Sequence, residues 1–344
     1  TAAAKRRRLL KLISVLEKKD KFSFRTRNKT DELVENFLEN LEDDIHEMLC
    51  DNDFMGEYYG GLDSDHDTEA EVETAIRFFP EVLSRREDQF DGNIYPIQLL
   101  ALGRDEDADF QCNVKTVSFI PIVARLAIEL GLFEEDKRGG LLCEYNEGKG
   151  DNVLYHLMIM GDQTELPDQE HHEYIDTKYL QVLIQLRKLG LLKKEDIQRY
   201  DLLHKLCNGK TDSAEKRYHY FAENRFKFLV EWDPSALILL EAKSDTSRIR
   251  WLPIHYAAVS SNIQKLQFVF EYGIRYFPKK KGISLLFKKN NGHTPFNNAC
   301  LQFGEKQMIK MIEDTFIRCY SSSDDTPPLN VVEALMTAAV DEDI

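Results

Sequence analysis

No run of residues in this sequence is long and apolar enough to span a bilayer. The longest, Phe119 to Phe133, is broken by Arg125 and Glu129 and falls short of the roughly 20 residues required. Cysteine is scarce, six in 344 residues, at 50, 112, 143, 207, 300 and 319, with no Cys-x-x-Cys and no regular spacing. That argues against a disulfide framework, makes a zinc site unexpected, and points to reduced thiols in cytosol or nucleus. The opening apolar run is short and is followed by Lys18, Lys19 and Lys21, so no signal peptide is expected from it. The P-loop, Gly-x-Gly-x-x-Gly, Gly-x-Ser-x-Gly and His-Glu-x-x-His patterns are also missing. Neither catalysis nor a cofactor is therefore expected.

What is present is enough apolar material, 42%, for a sizeable core beside 31% charged residues. The net charge of −15 is unevenly spread. Residues 1–29 carry +9, residues 30–75 carry −17 with no Lys or Arg, and the remainder carries −7. A body of that sign is not expected to coat nucleic acid or anionic lipid. Residues 1–29 open as a basic amphipathic segment, with Leu9, Leu12, Ile13 and Leu16 on one face and Lys5, Arg6, Arg7, Arg8 and Lys11 around them. Import signal, lipid-surface helix, calmodulin-type target and plain solvated segment all remain open for it. Thr30 is expected to cap a second helix with the stripe Val34, Phe37, Leu41, Ile45 and Met48. Residues 51–71, rich in Gly and acids, read as a mobile linker that completes an acidic capping region over 30–71.

From residue 72 the chain repeats itself. Ile94-Tyr95-Pro96-Ile97-Gln98-Leu99-Leu100-Ala101 is echoed by Val153-Leu154-Tyr155-His156-Leu157-Met158-Ile159 and by Leu202-Leu203-His204-Lys205-Leu206-Cys207. It returns as Leu252-Pro253-Ile254-His255-Tyr256-Ala257-Ala258 and as Thr294-Pro295-Phe296-Asn297-Asn298-Ala299-Cys300. An amphipathic segment follows each copy: Phe119–Leu130, Tyr179–Leu189, Arg225–Trp232, Ile263–Tyr272 and Glu305–Phe316. Pro96, Pro253 and Pro295 suit a first helical position, where no N–H is needed and φ is preset. The hydrogen-bonding position two further on is Gln98, His156, His204, His255 or Asn297, suited to tie the turn backbone between copies. The pairs Ala257-Ala258 and Ala299-Cys300 let neighbouring helices approach, whereas Met158-Ile159 predicts a wider gap.

These phrases resemble the ankyrin repeat, Gly-x-Thr-Pro-Leu-His-x-Ala-Ala followed by an outer helix, over about residues 72–320. The resemblance is strongest in Leu252 to Tyr272. It implies an all-α solenoid of about five helix-turn-helix repeats with long hairpin-type turns, an N-terminal helical cap, and a partial repeat over 321–344. It also implies a non-catalytic protein-binding scaffold. Two departures matter. Only Thr294 keeps the family's Thr, and successive Gln98-type positions lie 58, 48, 51 and 42 residues apart rather than near 33. The excess falls mainly between paired helices, at Gly103–Thr116 and Gly161–Lys178. Those insertions carry Asp105, Glu106, Asp107 and Asp109, then Asp162, Glu165, Asp168, Glu170, Glu173 and Asp176, which together predict an acidic ridge for a partner with a basic patch. Arg275, Lys279, Lys280, Lys281, Lys288 and Lys289 form a basic cluster at what the family would make a hairpin tip.

The repeat-position histidines should be strung along the array rather than gathered at one reacting atom, which argues against an enzyme. His171-His172 reads as part of a solvated loop. The expectation is a cytoplasmic or nuclear scaffold with a protein partner, without nucleic acid, metal or small-molecule substrate. The alternative is a membrane or nuclear adaptor steered by the basic first residues.

Overall fold

Proline punctuates the chain as anticipated: Pro96, Pro253 and Pro295 each occupy the first position of a helix. A computed structural model describes residues 11–52, 59–87, 94–104, 110–144, 152–158, 169–208, 221–241, 251–278 and 280–320. These are mainly helical. In chain order the helices are α1 (Phe24–Cys50), α2 (Glu69–Phe78), α3 (Pro96–Leu99), α4 (Ile120–Glu129), α5 (Val153–His156), α6 (Gln169–Lys188) and α7 (Lys194–Arg199). There follow α8 (Leu202–Asn208), α9 (Glu223–Trp232), α10 (Pro253–Val259), α11 (Ile263–Tyr276), α12 (Lys280–Ser284), α13 (Pro295–Phe303) and α14 (Glu305–Tyr320). Among the described residues one two-stranded antiparallel ribbon, β1 (Leu102–Arg104) and β2 (Phe110–Cys112), interrupts them, with Leu102 opposite Cys112.

The helices sort into two rows. The short helices α3, α5, α8, α10 and α13 pack one on the next in sequence order. Beside them α2, α4, α6 and α9 form a second row, and α11 packs on α14. An aromatic cluster in which the Phe226 ring lies 5.6 Å from Phe268 and 5.7 Å from Tyr272 joins α9 to α11. Each pair leaves an apolar side that the next pair covers, so the buried residues form one long core from Leu49 to Phe316. Ala257, Ala258 and Ala299 are fully buried where α10 and α13 meet. The turn after α4 runs through Arg138, Gly139 and Gly140, all with positive φ. Glycine is required at 139, because a Cβ there would lie 2.3 Å from Ala124 O.

Several expected boundaries move. The helix assigned to start at Thr30 begins at Phe24, and Thr30 Oγ1 instead bonds the carbonyl of Thr26 inside it. Among the described residues only the last turns of α1 are covered, by α3 and by the Pro80–Leu83 turn, and Phe37 of the anticipated stripe is 63% exposed. Residues 59–68, read as linker, are tied down. Leu62 is buried, Ser64 N–H donates to Lys115 O, and Thr68 with Glu71 makes a capping box for α2. Helix α6 starts at Gln169, ten residues before its expected Tyr179, because Ile175 and Tyr179 continue one buried face. Residues 1–10 and 321–344 lie outside the described residues.

Candidate functional site

The repeat position is the first place where sequence and geometry meet. Gln98 Oε1 accepts from Tyr95 N–H at 3.0 Å while its Nε2 donates to Cys143 O at 3.0 Å, 45 residues ahead. His255 does the same with a ring: Nδ1 accepts from Leu252 N–H at 3.2 Å, which leaves the proton on Nε2 to bond Lys288 O at 3.0 Å. His204 Nε2 meets Leu239 O at 2.9 Å, with Asp201 beside Nδ1. Gln98 and His255 each close their own helix start and grip the backbone of the following segment, and His204 grips the following segment. Burial drives His255 down to about 4 and His156 down to about 3, and it also lowers His204. The rings therefore stay neutral, and those of His204 and His255 serve as structural pins at their own joints.

Thr294, the Thr that is kept, caps its helix, and at the second copy Asn152 stands in for the missing one. Thr294 Oγ1 accepts from Asn297 N–H, and Asn152 Oδ1 does so from Tyr155 N–H at the second copy. Asn297 itself is exposed.

The proposed acidic ridge divides. Asp105, Glu106, Asp107, Asp109 and Glu165 lie outside the described residues, although β1 and β2 bring the chain up to and away from 105–109 as an antiparallel ribbon. Glu170 and Glu173 are exposed on the first turns of α6, not on a loop. Asp176 does not belong to the ridge. It is fully buried, paired through Oδ1 with Arg225 Nε at 2.8 Å, and it accepts Asn224 N–H on its other oxygen. The His171-His172 loop is likewise helical, with His172 buried.

On the basic side Lys279 is outside the described residues. Lys280 opens the short helix α12, which takes the place of a hairpin tip. Lys281 is exposed, its Nζ 4.8 Å from the Phe277 ring, and among the described residues the local pairing of strand type is the bridge between Asn290 and His293. Arg275 is committed to Glu271.

Two sets of residues escaped the sequence reading. Arg225, 1% exposed, also donates to Leu157 O at 2.6 Å and lies over Tyr179, and Arg138 clamps Asp196 and Leu191 O. These charges join consecutive helix pairs, and no local pattern announces them. The second set is His46, Cys50 and Glu87, whose ligand-type atoms lie within 4.8 Å of one another. His46 and Cys50 stand one turn apart on α1, a visible i, i+4 pair, but Glu87 arrives from a bridge to Ile94 that spacing does not reveal. Burial, then the Glu87 carboxylate, pushes the Cys50 thiol up to about 12, and burial lowers His46.

Among the described residues no helix is long and apolar enough to cross a membrane. Set against known proteins, the chain matches no family model, no curated protein and no solved structure.

Proposed function

We propose that the chain is a divergent solenoid of ankyrin type that works as a non-catalytic scaffold for a protein partner bearing a basic patch. The observation that carries this reading is the repeated pin on the following segment, two-point at Gln98 and His255 and one-point at His204. The pin recurs along the row of short helices, and it spends on architecture the side chains that would otherwise be first choice for acid–base chemistry. A row of paired helices is extended and offers one continuous side for a partner. Acidic residues at 105–109, Glu165 and Glu170 supply the complementary charge, while Lys280 and Lys281 lie at another joint. Fold alone does not name a function, so the reading rests on the site and its charge.

The test is cross-linking of the full chain in cell extract, repeated with Asp105, Glu106, Asp107 and Glu170 changed to Asn or Gln. Capture mapping to these insertions, lost in the neutralised variant and weakened by salt, is the expected result. Capture unchanged by neutralisation removes the ridge from the reading.

A second reading has its own observation. Leu12, Ile13 and Val15 are exposed beside Lys11, Lys18 and Lys19, a composition suited to an anionic membrane surface. Co-flotation with vesicles containing phosphatidylserine, abolished by deletion of residues 5–21, would establish it in place of the first.

A further inference from the structure

Where the long N-terminal helix meets the body, three different ligand-type side chains converge from two separate parts of the chain. His46 and Cys50 project from the last turns of α1, and Glu87 is fixed by paired backbone bonds to Ile94, Glu87 N–H to Ile94 O and Ile94 N–H to Glu87 O. His46 Nδ1 lies 3.6 Å from Glu87 Oε2 and 3.9 Å from Cys50 Sγ, and Sγ lies 3.6 Å from Nε2. A tetrahedral ion with metal–nitrogen and metal–oxygen bonds near 2.0–2.2 Å and a metal–sulfur bond near 2.3 Å needs donors about 3.3–3.7 Å apart. The cluster needs to close by about 1 Å at most to meet that spacing.

The surroundings match as well. His46 Nε2 faces Arg85 O at 3.4 Å, the backbone-carbonyl partner that orients a ligating ring through its other nitrogen. The Arg85 guanidinium, the nearest cation, is already held by Asp43 at 2.6 Å. Thiolate and carboxylate together would balance a divalent charge, with the thiol proton leaving to solvent as Sγ takes the ion. His46 and Cys50 are buried while Glu87 is about one-third exposed, so three protein donors are supplied and the fourth position faces the solvent side. Mixed imidazole, thiolate and carboxylate donors select zinc-class ions over magnesium or calcium.

We propose that His46, Cys50 and Glu87 form a three-ligand site for a divalent ion of the zinc class, which pins the N-terminal helix to the first helix pair. The site is independent of the scaffold reading, and neither stands or falls with the other.

The experiment titrates the full chain, stripped with chelator, with Co(II) alone and then with Zn(II) in competition. The expected result is a thiolate-to-cobalt charge-transfer band with tetrahedral d–d bands, saturating at one ion per chain and erased by Zn(II). Cys50→Ser should abolish the charge-transfer band. Glu87→Gln, a change at a partly exposed side chain with little risk to folding, should weaken Zn(II) at least tenfold. A His171→Ala/His172→Ala control should leave both readouts alone. Absence of the band, its survival in a folded Cys50→Ser chain, or an unchanged Zn(II) affinity in Glu87→Gln would each overturn the proposal.

Discussion

The two ends of the helix array solve the same joining problem differently. Over α8, α10 and α13 the short-row helices run seven to nine residues, and fully buried alanines allow close approach. There a neutral ring reaches a carbonyl 35 or 33 residues ahead. Over α3 and α5 the corresponding helices are only four residues long, Met158 is buried where α10 and α13 place Ala257 and Ala299, and Gln98 must reach across 45 residues. In this region buried ion pairs appear, Arg225 with Asp176 and Arg138 with Asp196. Where insertions lengthen the chain between pairs, weak repeated bonds give way to a few charged clamps. A clamp of this kind fixes register, but it leaves a large penalty if one partner is lost.

The strongest way to break the contrast is Arg225→Ala, which strands the Asp176 carboxylate in the core. Loss of about 3–5 kcal/mol in urea unfolding is expected. The paired change Arg225→Met with Asp176→Leu should cost much less, since no buried charge is left without a partner. If Arg225→Ala cost under about 1 kcal/mol, the clamp would be ornamental and the two regions would be alike.

A smaller effect sharpens the other side of the comparison. His255→Ala orphans Leu252 N–H and Lys288 O and should cost about 1–3 kcal/mol, whereas His255→Gln should cost less because Gln98 makes the same two bonds. The pH profile separates the two variants. Burial holds His255 at about 4 against an ordinary 6.5, so between those values the unfolded chain takes a proton that the folded ring refuses. Its contribution is full above pH 6.5 and falls with pH down to 4, by at most about 1.4 kcal/mol per pH unit. His255→Gln should flatten that part of the wild-type curve. The smallest change is Thr294→Ala, which removes the cap on Asn297 N–H and should lower stability by about 1 kcal/mol.

Much of the helical layout is legible in the sequence. Pro96, Pro253 and Pro295 marked helix starts because proline restricts its own φ and lacks a donor, constraints that need no neighbours. The histidine position was legible for a similar reason: its repetition implied a repeated bond, and the bond is there at His204 and His255. Thr30 misled because a hydroxyl serves a helix interior as well as its start, and the choice depends on whether residues 24–29 are helical too. Asp176 misled because a carboxylate in an acidic stretch looks solvated until Arg225, 49 residues away, is seen beside it.

Sequence alone settled the helical periodicity, the repeated phrase and the helix starts that proline marks, since each depends on local backbone geometry and on apolar spacing within a few turns. Tertiary structure alone decided which charges are buried together, how much of α1 is covered, and that His46, Cys50 and Glu87 share one corner. Those outcomes depend on distances between segments tens of residues apart, and a linear pattern carries no record of them until packing closes the gap.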